Sequence, residues 1–393
     1  MAVFNVQIFK DVLKFVTENT YWLPSVSIES KEDIICDKVE GKFSLDFRFQ
    51  KDLKTCTRRL RLLGMRIKEI SDDFLVSEFD RDERKFIVVC SEDCYIDSYA
   101  FQNFTLNNVE SRVYNERYHI YQGLTIENLV LTINELTING SINTIFPYAF
   151  NNIEANKLVI GSSVKNIKEN AFEGSSFTEV DLENADITIL QKDTFANCNK
   201  LKSIKLPSKL LKIEDSVFEE CHSLEKIDMP NSVIEIGDSA FEGCYELKNV
   251  KLSDNLKRIG NAAFSLTEIK NIVLPDSLET LGGSAFFYSS LETITLSKGL
   301  NEVSDYAFSF AVNLKEIIIP SSVTRIGEKS FVECSKLKEI HIPDSVTYIS
   351  PEAFWDTDIR PRDYENPLIL VGSKEGYAQK YANEFKYGFR EEA

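Results

Sequence analysis

The side chains best equipped for chemistry in this 393-residue chain are three histidines and eight cysteines. The histidines are His119, His222 and His341. The cysteines are Cys36, Cys56, Cys90, Cys94, Cys198, Cys221, Cys244 and Cys334. A metal site needs such ligands clustered, normally around a C-x-x-C pair. No such pair occurs, and Cys90 and Cys94 stand four apart with no histidine close by in sequence. A nucleophile needs a base within hydrogen-bond reach and a third group to orient that base, yet the three histidines are scattered. Gly282-Gly283 reads as a turn, and no G-x-x-x-x-G-K-S/T phosphate loop is present. No catalytic residue, metal ligand or cofactor is therefore assigned, and the chain reads as a non-enzyme. An N-terminal enzymatic domain stays open as an alternative, because fold alone never excludes catalysis.

Charge narrows the partner classes. Lysine and arginine number 45 against 62 aspartates and glutamates, a net charge of −17. Such a surface has no broad cationic face for a phosphate backbone, so nucleic acid is not expected as a partner. The basic run Lys51, Lys54, Arg58, Arg59, Arg61, Arg66 and Lys68 is balanced by Asp72, Asp73, Glu78 and Asp80. No apolar run is long enough to span a bilayer, so membrane insertion is not expected. The opening MAVFNVQIFKDVLKF lacks the basic start and small-residue cleavage site of a secretory signal. The expectation is a cytoplasmic protein, with signal-less secretion left open.

What positions the remaining candidates is a repeat. Phe150, Phe172, Phe195, Phe218, Phe241, Phe264, Phe286, Phe308, Phe331 and Phe354 recur at intervals of 22 or 23 residues. Five residues before each phenylalanine stands an aliphatic residue, as in Ile213, Ile236 and Ile259. Another stands eight before it, as in Leu210, Val233 and Leu256. Small residues fill the place just before it. Three places after it come Cys198, Cys221, Cys244 and Cys334, with Ser175, Thr267, Ser289, Ala311 and Thr357 in the other units. A column of thiols can be a redox or metal ladder, or simply packed free thiols. The absence of histidine or carboxylate from the column favours packing.

One unit cannot bury its apolar face alone, so neighbours must stack and turn each column into a ladder. The segment L-x-x-I-x-(I/L)-P alternates like a strand, and stacked units then form a parallel sheet. Pro207, Pro230, Pro275, Pro320 and Pro343 end the pairing because proline cannot donate. Gly237, Gly260, Gly282 and Gly327 are expected to permit positive φ. The D/E-x-A-F-x-x-C stretch is expected to form a short helical turn. Leu182 to Ile187 carries one extra residue, so a bulge is expected near Asn184 and Ala185.

The units LEKIDMPNSVIEIGDSAFEGCYE (224–246) and LKEIIIPSSVTRIGEKSFVECSK (314–336) resemble the BspA-like, or Treponema-type, leucine-rich repeat family. The resemblance covers about residues 136–358 and the closing segment. It implies a leucine-rich-repeat solenoid used for binding or adhesion, and many such proteins are found at cell surfaces.

Between the inward strand residues lie outward ones. One row runs Asp181, Lys205, Asp228, Lys251, Val273, Thr295, Ile318 and His341. The alternating charges suggest cross-strand pairing, whereas exposed Val273 and Ile318 ask for a reason. The candidate partner-binding patch is Val273, Thr295 and Ile318, edged by Glu316, Glu339 and His341.

Residues 1–120 do not repeat. Val6, Phe9, Val12 or Leu13, and Val16 suggest a helix, and GKFSLDFRF (41–49) a strand. Residues 51–68 suggest a second helix, and DFLVSEF with KFIVVC a hairpin. The organisation expected is a small α+β domain over 1–120, a solenoid of about ten units over 121–358, and a C-terminal cap over 359–393. The solenoid would carry a parallel β-sheet on its concave face and short helical turns opposite. In the cap, a last strand should precede a helix with Tyr377, Ala378, Tyr381 and Phe385 on one face. The function expected is non-catalytic recognition of a protein partner through the concave sheet. The alternative is a surface adhesin or secreted effector that binds host matrix or carbohydrate.

Overall fold

A computed structural model describes residues 3–5, 34–39, 42–47, 75–80, 85–96, 111–115, 120–124, 133–355 and 368–392. The chain packs as two compact units, Met1–Ile187 and Thr188–Ala393.

In the first unit, Ile34–Val39 and Lys42–Phe47 pair antiparallel. Val3–Asn5 pairs antiparallel with Lys42–Phe47 and parallel with Leu75–Asp80. Leu75–Asp80 and Lys85–Ile96 form the expected hairpin, with Phe79 opposite Phe86. Lys85–Ile96 then pairs in parallel with Ile133–Ile145, which pairs in parallel with Ala155–Ile160. Strand pairing thus runs unbroken from the non-repeating strands into the first repeats. Ser111–Asn115 and Ile120–Leu124 form a separate antiparallel pair. The helices expected over 6–16 and 51–68 lie outside the described residues. The extra residue is accommodated by a turn in which Ala185 N donates to Leu182 O at 2.9 Å.

The second unit is a solenoid of parallel strands. Each coil contributes a three-residue strand, such as Lys226–Asp228, and a two-residue strand, such as Glu235–Ile236. Both pair in parallel with their counterparts in the next coil. The columns eight and five before the phenylalanine are buried, among them Leu210, Val233 and Leu256 and then Ile213, Ile236 and Ile259. The phenylalanines stack as rungs. Phe218 and Phe241 lie 5.2 Å apart at 18°, Phe241 and Phe264 5.2 Å apart at 3°. The run continues through Phe286, Phe308 and Phe331 to Phe354. Each buried ring contributes roughly 1.5–3 kcal/mol, alongside comparable contributions from each buried aliphatic rung.

Two local expectations are corrected. The stretch around each phenylalanine is a chain of tight turns, and among the described residues the only helix is Tyr377–Phe385. Residues two before and two after the phenylalanine adopt positive φ, as in Ser216 (54°), Glu220 (58°) and Ser239 (53°). A left-handed residue on either side stops helix propagation and costs roughly 1–2 kcal/mol. Hydrogen bonds to the next coil offset that cost. Ser216 N donates to Asp238 O at 2.9 Å, Phe218 N to Ala240 O at 2.9 Å and Glu220 N to Glu242 O at 2.8 Å.

The repeat glycines are not the left-handed residues. Positive-φ glycines among the described residues are Gly174 and Gly243. Gly237 is required by proximity: a Cβ there would lie 2.5 Å from the Glu214 carbonyl carbon and 2.6 Å from the Asp215 nitrogen. Gly260, Gly282 and Gly327 meet the preceding coil in the same way.

At the far end, Ile369–Gly372 extends the sheet in parallel with Glu339–His341, and Tyr377–Phe385 follows. Ala378, Tyr381 and Ala382 face inward, and Tyr381 meets Phe354 edge-on at 6.0 Å. The Tyr381 hydroxyl donates to Ser350 O at 2.9 Å. A final strand that sequence periodicity missed, Gly388–Glu391, pairs in parallel with Ile369–Gly372.

Candidate interaction surface

The cysteine column is structural. Cys198, Cys221, Cys244 and Cys334 are fully buried thiols. Cys221 Sγ donates to Phe195 O at 3.1 Å, Cys244 to Phe218 O at 3.2 Å and Cys334 to Phe308 O at 3.1 Å. Ser175 makes the same bond to Phe150 O at 3.0 Å in the first unit. The column therefore selects a small buried side chain, and where that is Ser175, Cys221, Cys244 or Cys334 it donates to a carbonyl one coil back, whereas Thr267 donates within its own coil and Ala311 cannot donate. Burial pushes the Cys221 thiol well above its ordinary value, with Cys198 adding to the effect, and burial likewise raises Cys244. Protonated thiols of this kind neither attack nor bind metal readily.

His222 Nε2 lies 2.6 Å from Glu220 Oε2, and its ring sits 5.0 Å from Tyr245, at a turn far from any second histidine in sequence. His119 lies outside the described residues.

The candidate patch is assembled as its spacing implied. Val273, Thr295, Ile318 and His341 stand in one row, each opposite the next across parallel strands. Val273 is 68% exposed and Ile318 58%, with Thr295 exposed between them. The alternation that turns Ile272, Ile294 and Ile317 into the core turns these side chains outward. Glu316 lies exposed beside the row, opposite Thr293. Glu339 and His341 are already engaged by the final strand. Arg390 grips Glu339 with two bonds of 2.7 and 2.6 Å, and His341 Nδ1 lies 3.7 Å from Glu392 Oε1. Both bridges cross over Ile369–Gly372, where Val371 is buried although it shares the outward row.

The expected charge pairing is missing at one step of the row. Asp228 and Lys251 stand opposite each other, yet no ion pair forms between them. Strong pairs form elsewhere on the coils, such as Lys257–Glu279 at 2.7 Å and Arg258–Asp238 at 2.8 Å. The sequence reading also missed an aromatic cluster at the turns. Tyr288 and Phe310 stack at 4.5 Å and 6°, with Phe287 edge-on to Phe310 at 5.6 Å. Its signal was present in the columns, where SAFFY and YAFSF put rings at places most other units fill with Asn, Gly, Ala, Ser or Glu.

The family model for the BspA type leucine rich repeat region matches in six copies, over residues 79–180, 125–248 and 234–361. The chain belongs to the BspA-type leucine-rich repeat family. No curated protein matches it. Among solved structures, a leucine rich cell surface protein from Faecalibacterium prausnitzii A2-165 is similar at 20% identity, over 72% of this chain and 91% of that one, with a TM-score of 0.32. The Treponema pallidum leucine rich repeat protein is similar at 18% identity, over 69% and 91%, with a TM-score of 0.32. The pneumococcal vaccine antigen PcpA is similar at 16% identity, over 82% and 98%, with a TM-score of 0.34. Superpositions this loose carry no argument about function. Among the described residues, no helix is long and apolar enough to cross a membrane.

Proposed function

We propose that this BspA-type repeat protein is a non-catalytic recognition module that binds a protein partner through the exposed sheet face of its solenoid, following a small α+β N-terminal portion over residues 1–120. The observation that carries this reading is the outward row in which Val273 and Ile318 stand largely exposed, two coils apart with Thr295 between them. Aliphatic side chains held on rigid short strands lose little entropy on binding, which favours contact with another surface. Repeat solenoids present extended surfaces of this kind. The reading is tested by capture from cell extract with full-length protein and a Val273→Asp/Ile318→Asp variant. Capture should be lost while the melting temperature holds, because both side chains already face water. Equal capture by the variant rules out this face.

A further inference from the structure

The sheet face of the second unit changes character along the stack, and the change falls at a break in strand pairing. Ser203–Lys205, Lys226–Asp228 and Asn249–Lys251 belong to one ladder, and Asn271–Val273 begins the next. The two coils at the break stay joined elsewhere. Arg258 lies opposite Thr280, Phe264 N donates to Ala285 O at 2.8 Å, and Phe264 stacks on Phe286 at 5.6 Å. The seam therefore opens toward the sheet face alone. Val250, an inward residue, is half-buried there, while its counterparts Ile227, Ile272 and Ile294 are buried.

Lys248 and Lys251 stand on one lip of this seam, and Lys226 on the coil before it. Lys226, Lys248 and Lys251 are exposed and, among the described residues, form no ion pair, although Asp228 faces Lys251 and Glu225 precedes Lys226. Most lysines and arginines on the following coils are held by carboxylates, such as Lys298 by Asp276 at 3.1 Å and Arg325 by Asp305 at 3.0 Å. Other exposed lysines, such as Lys202 and Lys338, also form no ion pair among the described residues, but here three open ammonium groups lie on two neighbouring coils of a chain of net charge −17. The other lip carries Asn271 and exposed Val273, with Lys270 near Glu292 at 3.9 Å and Ile318 two coils beyond, while half-buried Val250 lies on the lysine side of the break.

We infer that this seam receives an extended segment of a partner protein, with a carboxylate side chain against Lys226, Lys248 and Lys251 and an apolar side chain against Val250, Val273 and Ile318. The inference rests on the sheet being the binding face and names the chemistry of what binds. Neighbouring coils repeat at about 4.8 Å, so Lys251 to Ile318 spans about 14 Å, or about four residues of extended chain. A uniform polyanion fits poorly, because its charge would continue over Val273 and Ile318 and toward Glu316.

The test uses full-length protein and a fluorescein-labelled synthetic peptide of about twelve residues, glutamate-rich in its first half and leucine-rich in its second, read by fluorescence anisotropy. Saturable binding is expected, weakened at high salt. Lys226→Glu/Lys251→Glu should weaken it about tenfold and Val273→Asp/Ile318→Asp by a similar factor, about 1.4 kcal/mol each. Lys298→Glu should leave it unchanged. Circular dichroism should show every variant folded, since all these side chains are exposed. Failure of the wild type to bind the peptide overturns the inference, and so does equal competition by a single-stranded oligonucleotide. If the lysine reversals do nothing while the Val273 and Ile318 changes abolish binding, the acidic requirement is overturned and the sheet reading stands. If neither pair matters, both fall.

Discussion

Cys244 shows how a reactive residue type is made inert by its place in a repeat. Its thiol is fully buried, donates to a carbonyl one coil back and is pushed up by burial. In native protein it should resist alkylation by iodoacetamide and react only after denaturation, as peptide mass mapping would reveal. Asp238 behaves oppositely. Partial burial works against its charge, but the Asn261 backbone and side-chain N–H groups at 2.9 and 3.0 Å and Arg258 at 2.8 Å hold its carboxyl below the ordinary range. A depressed folded value means its stabilisation is complete above the unfolded value of about 4 and fades as pH falls through the folded one. Asp238→Asn should lower stability at pH 7 by less than about 1 kcal/mol, since the pair is part-exposed. Urea titrations of the two proteins near pH 2 should coincide. The column spacing already told that the cysteines share one environment. That their thiols answer a carbonyl one coil back was not legible, because sequence does not say where a carbonyl points.

At the scale of the element, the coil was read correctly in its columns and wrongly in its turns. Phe, Ile and Leu columns follow from periodicity because burial depends on side-chain type. Backbone dihedrals at Ser216, Glu220 and Ser239 do not, because serine and glutamate carry no left-handed signature and adopt it here only through bonds to the next coil. Gly260 was assigned to the right column for the wrong reason: a Cβ there would sit 2.5 Å from the Asp238 nitrogen. Gly260→Ala should therefore cost about 1–3 kcal/mol in urea unfolding. Gly283→Ala, whose added Cβ would find its nearest neighbour at 3.0 Å, should cost less. Phe241→Ala removes a rung stacked on both sides and should cost about 3–5 kcal/mol.

For the second unit as a whole, the consequence of stacking is that the last rung must be covered. Tyr381 does so, edge-on to Phe354 and bonded to Ser350. Tyr381→Ala should speed amide exchange in the coil around Phe331 and Phe354 while leaving the coils around Phe218 and Phe241 protected, as hydrogen-exchange mass spectrometry would register. Nearest-neighbour stability predicts that gradient. The chain's letters by themselves determined that these units stack, which residues form the rungs and which row faces out, since each follows from period and hydrophobicity. Folding alone sets where strand pairing breaks, leaves Lys226, Lys248 and Lys251 unpaired near Asp228, and closes Arg390 over Glu339. Those outcomes depend on how one coil sits against the next and on a strand returning from 51 residues away in sequence, and no local pattern encodes either.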